Sequence, residues 1–223
     1  MFRPDAILFD FDGVLVESEY EGNRHVAEWL TAAGHPTTPL DAMTHFMGLS
    51  GQGFLDAIAR HIGGPVPEEF AAARTIENER VLREGVGEVA GAVAFVRSLP
   101  ADLPRAIVSS STTAWIDAHL RHIGLREAFG PHLYSGKEHV ARGKPEPDLY
   151  WYGAKALGVP IERCAIIEDS PVGVTGAAKT GAFVVGLCAG RHCAVDHGER
   201  LTALGADAVA GDFGEVARVL GLG

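Results

Sequence analysis

Lysine is scarce in this chain. Of 19 basic residues only Lys137, Lys144, Lys155 and Lys179 are lysines, so nothing before Lys137 can use one as a nucleophile. Cysteine is scarce too: Cys164, Cys188 and Cys193 are odd in number and scattered. That fits a reducing compartment better than a disulfide framework. No apolar stretch is long enough to span a bilayer, and the N-terminus runs straight into an apolar strand with no signal-peptide pattern. Positive charge is in deficit, with a formal net charge of −10. This argues against a nucleic-acid binder held by phosphate contacts. It leaves room for a small anionic substrate where a local cation overrides the global field. The expectation is a cytoplasmic protein with neither membrane nor nucleic acid as partner, monomeric or weakly homo-oligomeric.

What is present is apolar residue, at 47% of 223 positions, enough for one large domain or two small ones with a sizeable core. Short β-type runs alternate with helical stretches. The clearest runs are Ala6 to Phe9, Arg105 to Val108, Cys164 to Ile167 and Ala182 to Leu187; weaker ones are His132 to Ser135 and Asp207 to Ala210. Most are apolar throughout, as in strands buried on both faces. The pattern predicts an α/β, doubly wound parallel sheet. Between the first two clear strands the chain reads as helix only. Tyr20 to Ala33 carries a stripe at Gly22, Val26, Trp29, Leu30 and Ala33. Phe54, Leu55, Ile58 and Ile62 form a second stripe, and Pro67 to Leu82 is a charged, alanine-rich third segment. Residues 17–83 therefore read as a small helical bundle inserted into a core made of 1–16 and 84–223.

Four motifs sit at strand ends, where parallel sheets bind ligands. Asp10 and Asp12 end the first apolar run and point the same way, because side chains alternate along a strand. Like charges so close need a cation, a shared proton or a function. Ser109-Ser110-Ser111 follows the second strand and precedes a helix near Thr112, a natural phosphate cradle. Lys144 lies in Gly143-Lys144-Pro145-Glu146-Pro147-Asp148, a loop stiffened by its prolines. Glu168-Asp169-Ser170 ends the Cys164 strand and fits hard-cation chemistry, since Mg2+ takes carboxylate oxygens, water and substrate phosphate. Each motif alone reads as a turn or cap; their order and spacing together do not.

This set resembles the haloacid-dehalogenase-like hydrolase superfamily, and within it the phosphatases and phosphomutases with a small helical cap. The carrying residues are Asp10-Phe11-Asp12-Gly13-Val14-Leu15, Ser109, Lys144 and Glu168-Asp169-Ser170. The resemblance covers nearly the whole chain and implies a division of roles. Asp10 attacks phosphorus and forms an aspartyl-phosphate. Asp12 protonates the leaving oxygen and later activates water. Ser109 and the Ser110 N–H hold phosphoryl oxygens, and Lys144 bridges Asp10 and the phosphate. Mg2+ is held by the Asp10 carboxylate, the Asp12 carbonyl and Asp169, with Glu168 joining directly or through water. At about 4 Å and an effective dielectric near 20, each like-charge pair costs about 4 kcal/mol, which Mg2+ and Lys144 offset.

Asp12 argues against carbon–halogen cleavage, because the dehalogenase branch lacks an aspartate there. The phosphonoacetaldehyde branch needs a cap lysine, which this chain lacks. β-Phosphoglucomutase places a cap arginine shortly after a Gly-x-Ser element; here Gly48-Leu49-Ser50 is followed by Gly51-Gln52-Gly53. An expected early cap histidine is replaced by Gly22, and Arg24, His25 and Arg60 are the substitutes the helices offer. The preferred expectation is thus a Mg2+-dependent phosphatase acting on a small phosphorylated sugar or sugar acid. A sugar phosphomutase and a catalytically silent binding homologue are the alternatives. Cys188, His192, Cys193 and His197 hint at zinc, but without a Cys-x-x-Cys pair they read as a loop near the site, with His192 bordering its entrance. Trp29, Trp115 and Trp151 read as packing residues.

Overall fold

The computed structural model describes residues 2–49 and 51–222. Six parallel strands form one sheet: β1 Ala6–Phe9, β2 Arg105–Ser109, β3 Leu133–Ser135, β4 Cys164–Glu168, β5 Phe183–Leu187 and β6 Ala208–Ala210. Their order is β3-β2-β1-β4-β5-β6. The strand order reverses beside β1, which is the switch point where open α/β sheets bind ligands. Phe9 is level with Ile107 on one side and Ile167 on the other. That register puts the residues after β1, β2 and β4 at one edge.

The expected strands match these within a residue at each end. Their apolar runs read correctly because both faces are covered: every residue of β1, β2 and β4 is buried.

The helices in chain order are α1 Ser18–Ala32, α2 Pro39–Phe46, α3 Gly51–Ile62, α4 Glu68–Glu84, α5 Ala92–Ser98, α6 Thr113–His122, α7 Asp148–Leu157, α8 Pro171–Ala177, α9 His197–Ala203 and α10 Phe213–Val219. The chain divides into two compact units, Met1–Glu17 with Gly87–Gly223, and Ser18–Val86. The second boundary falls at 86/87 rather than 83/84, because α4 runs unbroken to Glu84 and its C-cap is Gly85, with φ 80°. Entry to and exit from the helical unit lie side by side: Glu17 N–H donates to the Gly87 carbonyl at 2.9 Å, and Val89 N–H to that of Leu15 at 3.1 Å.

The helical unit has its own core of Val26, Ala27, Leu30, Ala42, Phe46, Ala57, Ile58 and Phe70. Two details differ from the sequence stripes. On α1 Asn23 and Ala27 are buried along with the expected Val26 and Leu30, while Gly22 is not, and Ala33 lies past the helix end. Leu55 faces outward and Ala57 takes the buried place on α3. No helix of the described residues is long and apolar enough to cross a membrane.

Candidate active site

β1 ends at Phe9, and Asp10 is the next residue, anchored by its N–H to the Ile167 carbonyl at 2.9 Å. Its carboxylate meets Lys144, whose Nζ lies 2.5 Å from Asp10 Oδ1 and 2.5 Å from Glu168 Oε1. All three side chains are buried, with Glu168 fully so. Burial pushes Asp10 well above the usual carboxylate range, and Glu168 adds to that push while Lys144 opposes it. Burial works against the Lys144 proton as well, but Asp10 and Glu168 outweigh it and hold the proton on. The ammonium is therefore a fixed charge facing two carboxylates.

Glu168 is held on both oxygens. Oε1 accepts from the Tyr150 hydroxyl at 2.7 Å as well as from Lys144. Oε2 accepts from the Ser170 N–H at 3.3 Å and its hydroxyl at 3.2 Å. Tyr150 is fully buried on α7, and its ring lies 5.3 Å from Lys144 Nζ.

Close approach requires glycine twice here. A Cβ on Gly173 would fall 2.1 Å from the Glu168 carboxylate. One on Gly13, where φ is +81°, would fall 2.1 Å from Asp169 Oδ2.

Asp10, Glu168 and Asp169 each offer an oxygen within 4.8 Å of the other two, all buried. Three clustered carboxylic side chains, two of them paired with one lysine, form an all-oxygen donor set that suits a hard divalent cation. The donor chemistry therefore fits the expected metal. Asp169 is also engaged from behind: His192 Nε2 is 2.8 Å from its Oδ2, and His197 Nε2 is 2.6 Å from its carbonyl oxygen.

Asp12 is half-buried and accepts hydrogen bonds from neutral donors. Ser111 Oγ donates to its Oδ2 at 2.6 Å and Trp115 Nε1 to its Oδ1 at 3.0 Å; Ser109 Oγ is 3.4 Å from Oδ2. Ser109 is buried at the end of β2, and Ser110 follows it, exposed. The N-cap of α6 is Thr112, whose side chain accepts from the Trp115 N–H.

The expected site residues Asp10, Lys144, Glu168 and Asp169 thus converge, while Asp12, Ser109 and Ser111 form a second group beside them. Trp115, expected to pack, instead donates to Asp12, and Trp151 is 44% exposed. Tyr150 does not stand out in the sequence; a tyrosine on the first turn after the lysine loop is the signal it carries, since a buried hydroxyl needs a partner. His192 is 5% exposed and lies against Asp169, and with Cys193 and His197 it forms a cluster whose donor atoms lie within 4.8 Å of one another.

In the helical unit the expected cations are mostly occupied. Arg24 pairs with Glu21 and Glu28, and His25 lies 3.7 Å from Glu77. Arg74, which the sequence does not single out, keeps a buried Nη1 with no hydrogen-bond partner. It lines a cavity of about 280 Å³ with Asn23, Gly48 and Phe54. Ser50 of the Gly-x-Ser element lies outside the described residues.

Residues 4–181 match the family of haloacid dehalogenase-like hydrolases. Hexitol phosphatase A of Escherichia coli K12 is 32% identical over 188 residues, 83% of each chain. 6-Phosphogluconate phosphatase of the same organism is 26% identical over 199 residues, 86% of each. Among solved structures, a haloacid dehalogenase family hydrolase from Deinococcus radiodurans R1, with bound phosphate and sodium, is 34% identical with a TM-score of 0.89, covering 100% of this chain and 98% of that one.

Proposed function

The chain belongs to the haloacid dehalogenase-like hydrolases and is a phosphoric monoester hydrolase, and from that premise we propose that it cleaves a small phosphorylated sugar or sugar acid through an aspartyl-phosphate, with Mg2+ as cofactor and the helical unit as its cap. The observation that carries this reading is the separation of two neighbouring carboxylates into two environments. Asp10 is buried against a lysine, and Asp12 is half-buried among neutral donors. Lys144 beside Asp10 favours the ionised carboxylate that a nucleophile needs, and the Ser111 and Trp115 donors orient Asp12 for proton transfer.

Asp10 forms the new oxygen–phosphorus bond as the phosphorus–alkoxide bond breaks, and Asp12 gives its proton to the departing alkoxide. Asp12 then takes a proton from water, whose oxygen attacks phosphorus and frees Asp10 and inorganic phosphate. Ser109 and the Ser110 N–H bind phosphoryl oxygens, and Lys144 keeps a positive charge beside both Asp10 and the incoming phosphate. Glu168 positions Lys144, with Tyr150 and Ser170 fixing its carboxylate. Mg2+, held by the Asp10 and Asp169 carboxylates and the Asp12 carbonyl with Glu168 close by, would supply charge neutralisation for the transferring phosphoryl group.

The substrate class follows the relatives' names, a hexitol phosphatase and a 6-phosphogluconate phosphatase. A sugar acid brings a second anion, and Arg74 is the receptor the helical unit offers. The test is a panel of hexitol phosphates, 6-phosphogluconate, hexose 1-phosphates and an aryl phosphate, with Mg2+ and with EDTA. Turnover is expected with Mg2+ only, to be lost in Asp10→Asn, and Arg74→Gln is expected to raise KM for 6-phosphogluconate more than for hexitol phosphate. An enzyme silent on the whole panel refutes the catalytic reading. Isomer formed from a hexose 1-phosphate faster than free phosphate would instead make it a mutase.

A further inference from the structure

Against Asp169 three soft or borderline donors meet: Cys193 Sγ and the rings of His192 and His197. All come from the stretch between the end of β5 and the start of α9. His197 is the informative member. It is 2% exposed, and its Nε2 lies 2.6 Å from the Asp169 carbonyl oxygen. A carbonyl only accepts, so Nε2 carries the ring proton. A ring with its one proton on Nε2 leaves Nδ1 as a bare lone pair. That Nδ1 is buried and has no hydrogen-bond partner. An unsatisfied buried acceptor costs about 1–3 kcal/mol. A ring N–H fixed on a backbone carbonyl with the opposite nitrogen left open is the arrangement that metal-binding histidines adopt.

The spacing also suits an ion. Tetrahedral zinc, with sulfur at about 2.3 Å and nitrogen at about 2.0–2.1 Å, holds the two roughly 3.6 Å apart. His192 Nε2 and Cys193 Sγ are 3.5 Å apart. We propose that Cys193, His197 and His192 form a binding site for a borderline divalent cation of the zinc or cobalt class, distinct from the all-carboxylate cluster of Asp10, Glu168 and Asp169. Thiolate and imidazole select such ions, whereas carboxylate oxygens select Mg2+. On binding, the Cys193 thiol loses its proton to solvent and the sulfur–metal bond forms; the ion changes no oxidation state. His192 Nε2 now lies 2.8 Å from Asp169 Oδ2. Binding exchanges that contact for a metal bond, so an ion of this class inhibits turnover by releasing Asp169.

The probe is Co2+ titrated into the protein in saturating Mg2+, so that the carboxylates are filled. One equivalent is expected to raise a sulfur-to-cobalt charge-transfer band in the near ultraviolet, which no carboxylate site gives. Cys164→Ser, at a cysteine whose Sγ is 3.4 Å from the Pro160 carbonyl oxygen, is expected to keep the band. Cys193→Ser and Cys193→Ala are expected to lose it and to bind Zn2+ more weakly by more than the roughly 10–100-fold that outer-shell changes cost. Their turnover with Mg2+ is expected to match wild type, without inhibition by Zn2+. A wild type with no band overturns the proposal whether or not the variants fold, and so does a band that survives in Cys193→Ala. The inhibition rests on the phosphatase reading; the cobalt band does not, so the two can fail separately.

Discussion

At the scale of single residues, the site depends on donors that hold a carboxylate still. Asp12 takes one hydrogen bond from Ser111 and one from Trp115. Trp115→Phe removes the indole donor and keeps most of the packing. We expect kcat to fall about 10-fold, part of the 10²–10⁴ that general acid–base catalysis contributes, with KM nearly unchanged. The loss is expected to be larger for a sugar phosphate than for an aryl phosphate, whose leaving group needs less protonation; equal losses would mean Trp115 only packs. The motif residues are legible in sequence because strand ends fix their direction: Asp10, Ser109 and Glu168 each close or follow a buried strand. Trp115 and Tyr150 are not, because a helical side chain leans toward the helix start by an amount that only packing sets. His197 stands out in the sequence beside Cys193, but its contact with Asp169 does not, since that partner is a backbone carbonyl that no side-chain pattern encodes.

Among the elements, α8 shows how tightly a helix must approach. Its Gly173 has no room for a side chain, because a Cβ would overlap the Glu168 carboxylate. Gly173→Ala is expected to cost about 1–3 kcal/mol by overpacking, and to lower Mg2+-dependent turnover along with Tm because Lys144 loses its geometry. Gly22 on α1 is the contrast: a methyl group there would meet nothing within 4 Å. Gly22→Ala is expected to hold or raise stability by about 0.5–1 kcal/mol. Thermal melts of the two variants check the pair; a Gly173→Ala protein that melts and turns over like wild type would remove the close-approach argument. Sequence reading finds the long elements and singles out none of the short ones, α2, α5, α8, α9 and α10. Eight and seven residues give barely two turns, too few for a periodic stripe. The signal for α2 is its cap: Thr38 and Asp41 exchange hydrogen bonds in a capping box around the first turn, with Pro39 inside it.

For the whole molecule, the net charge of −10 says little about the place that matters, where one buried lysine faces two carboxylates. The division into two units is legible from the absence of strand patterns between β1 and β2, though not its last residues, which depend on how far α4 runs. Each unit has its own buried cluster. The crossings between them are paired by backbone hydrogen bonds at Glu17 and Gly87. Replacing residues 18–86 by a short Gly/Ser linker should therefore leave the remainder folded, seen as one cooperative transition in circular dichroism; a non-cooperative melt would refute independence. Two chain crossings that begin and end at one doorstep also make the helical segment a cassette in the genetic sense. A stretch of coding sequence can be exchanged, lengthened or duplicated there without asking the sheet to move its ends.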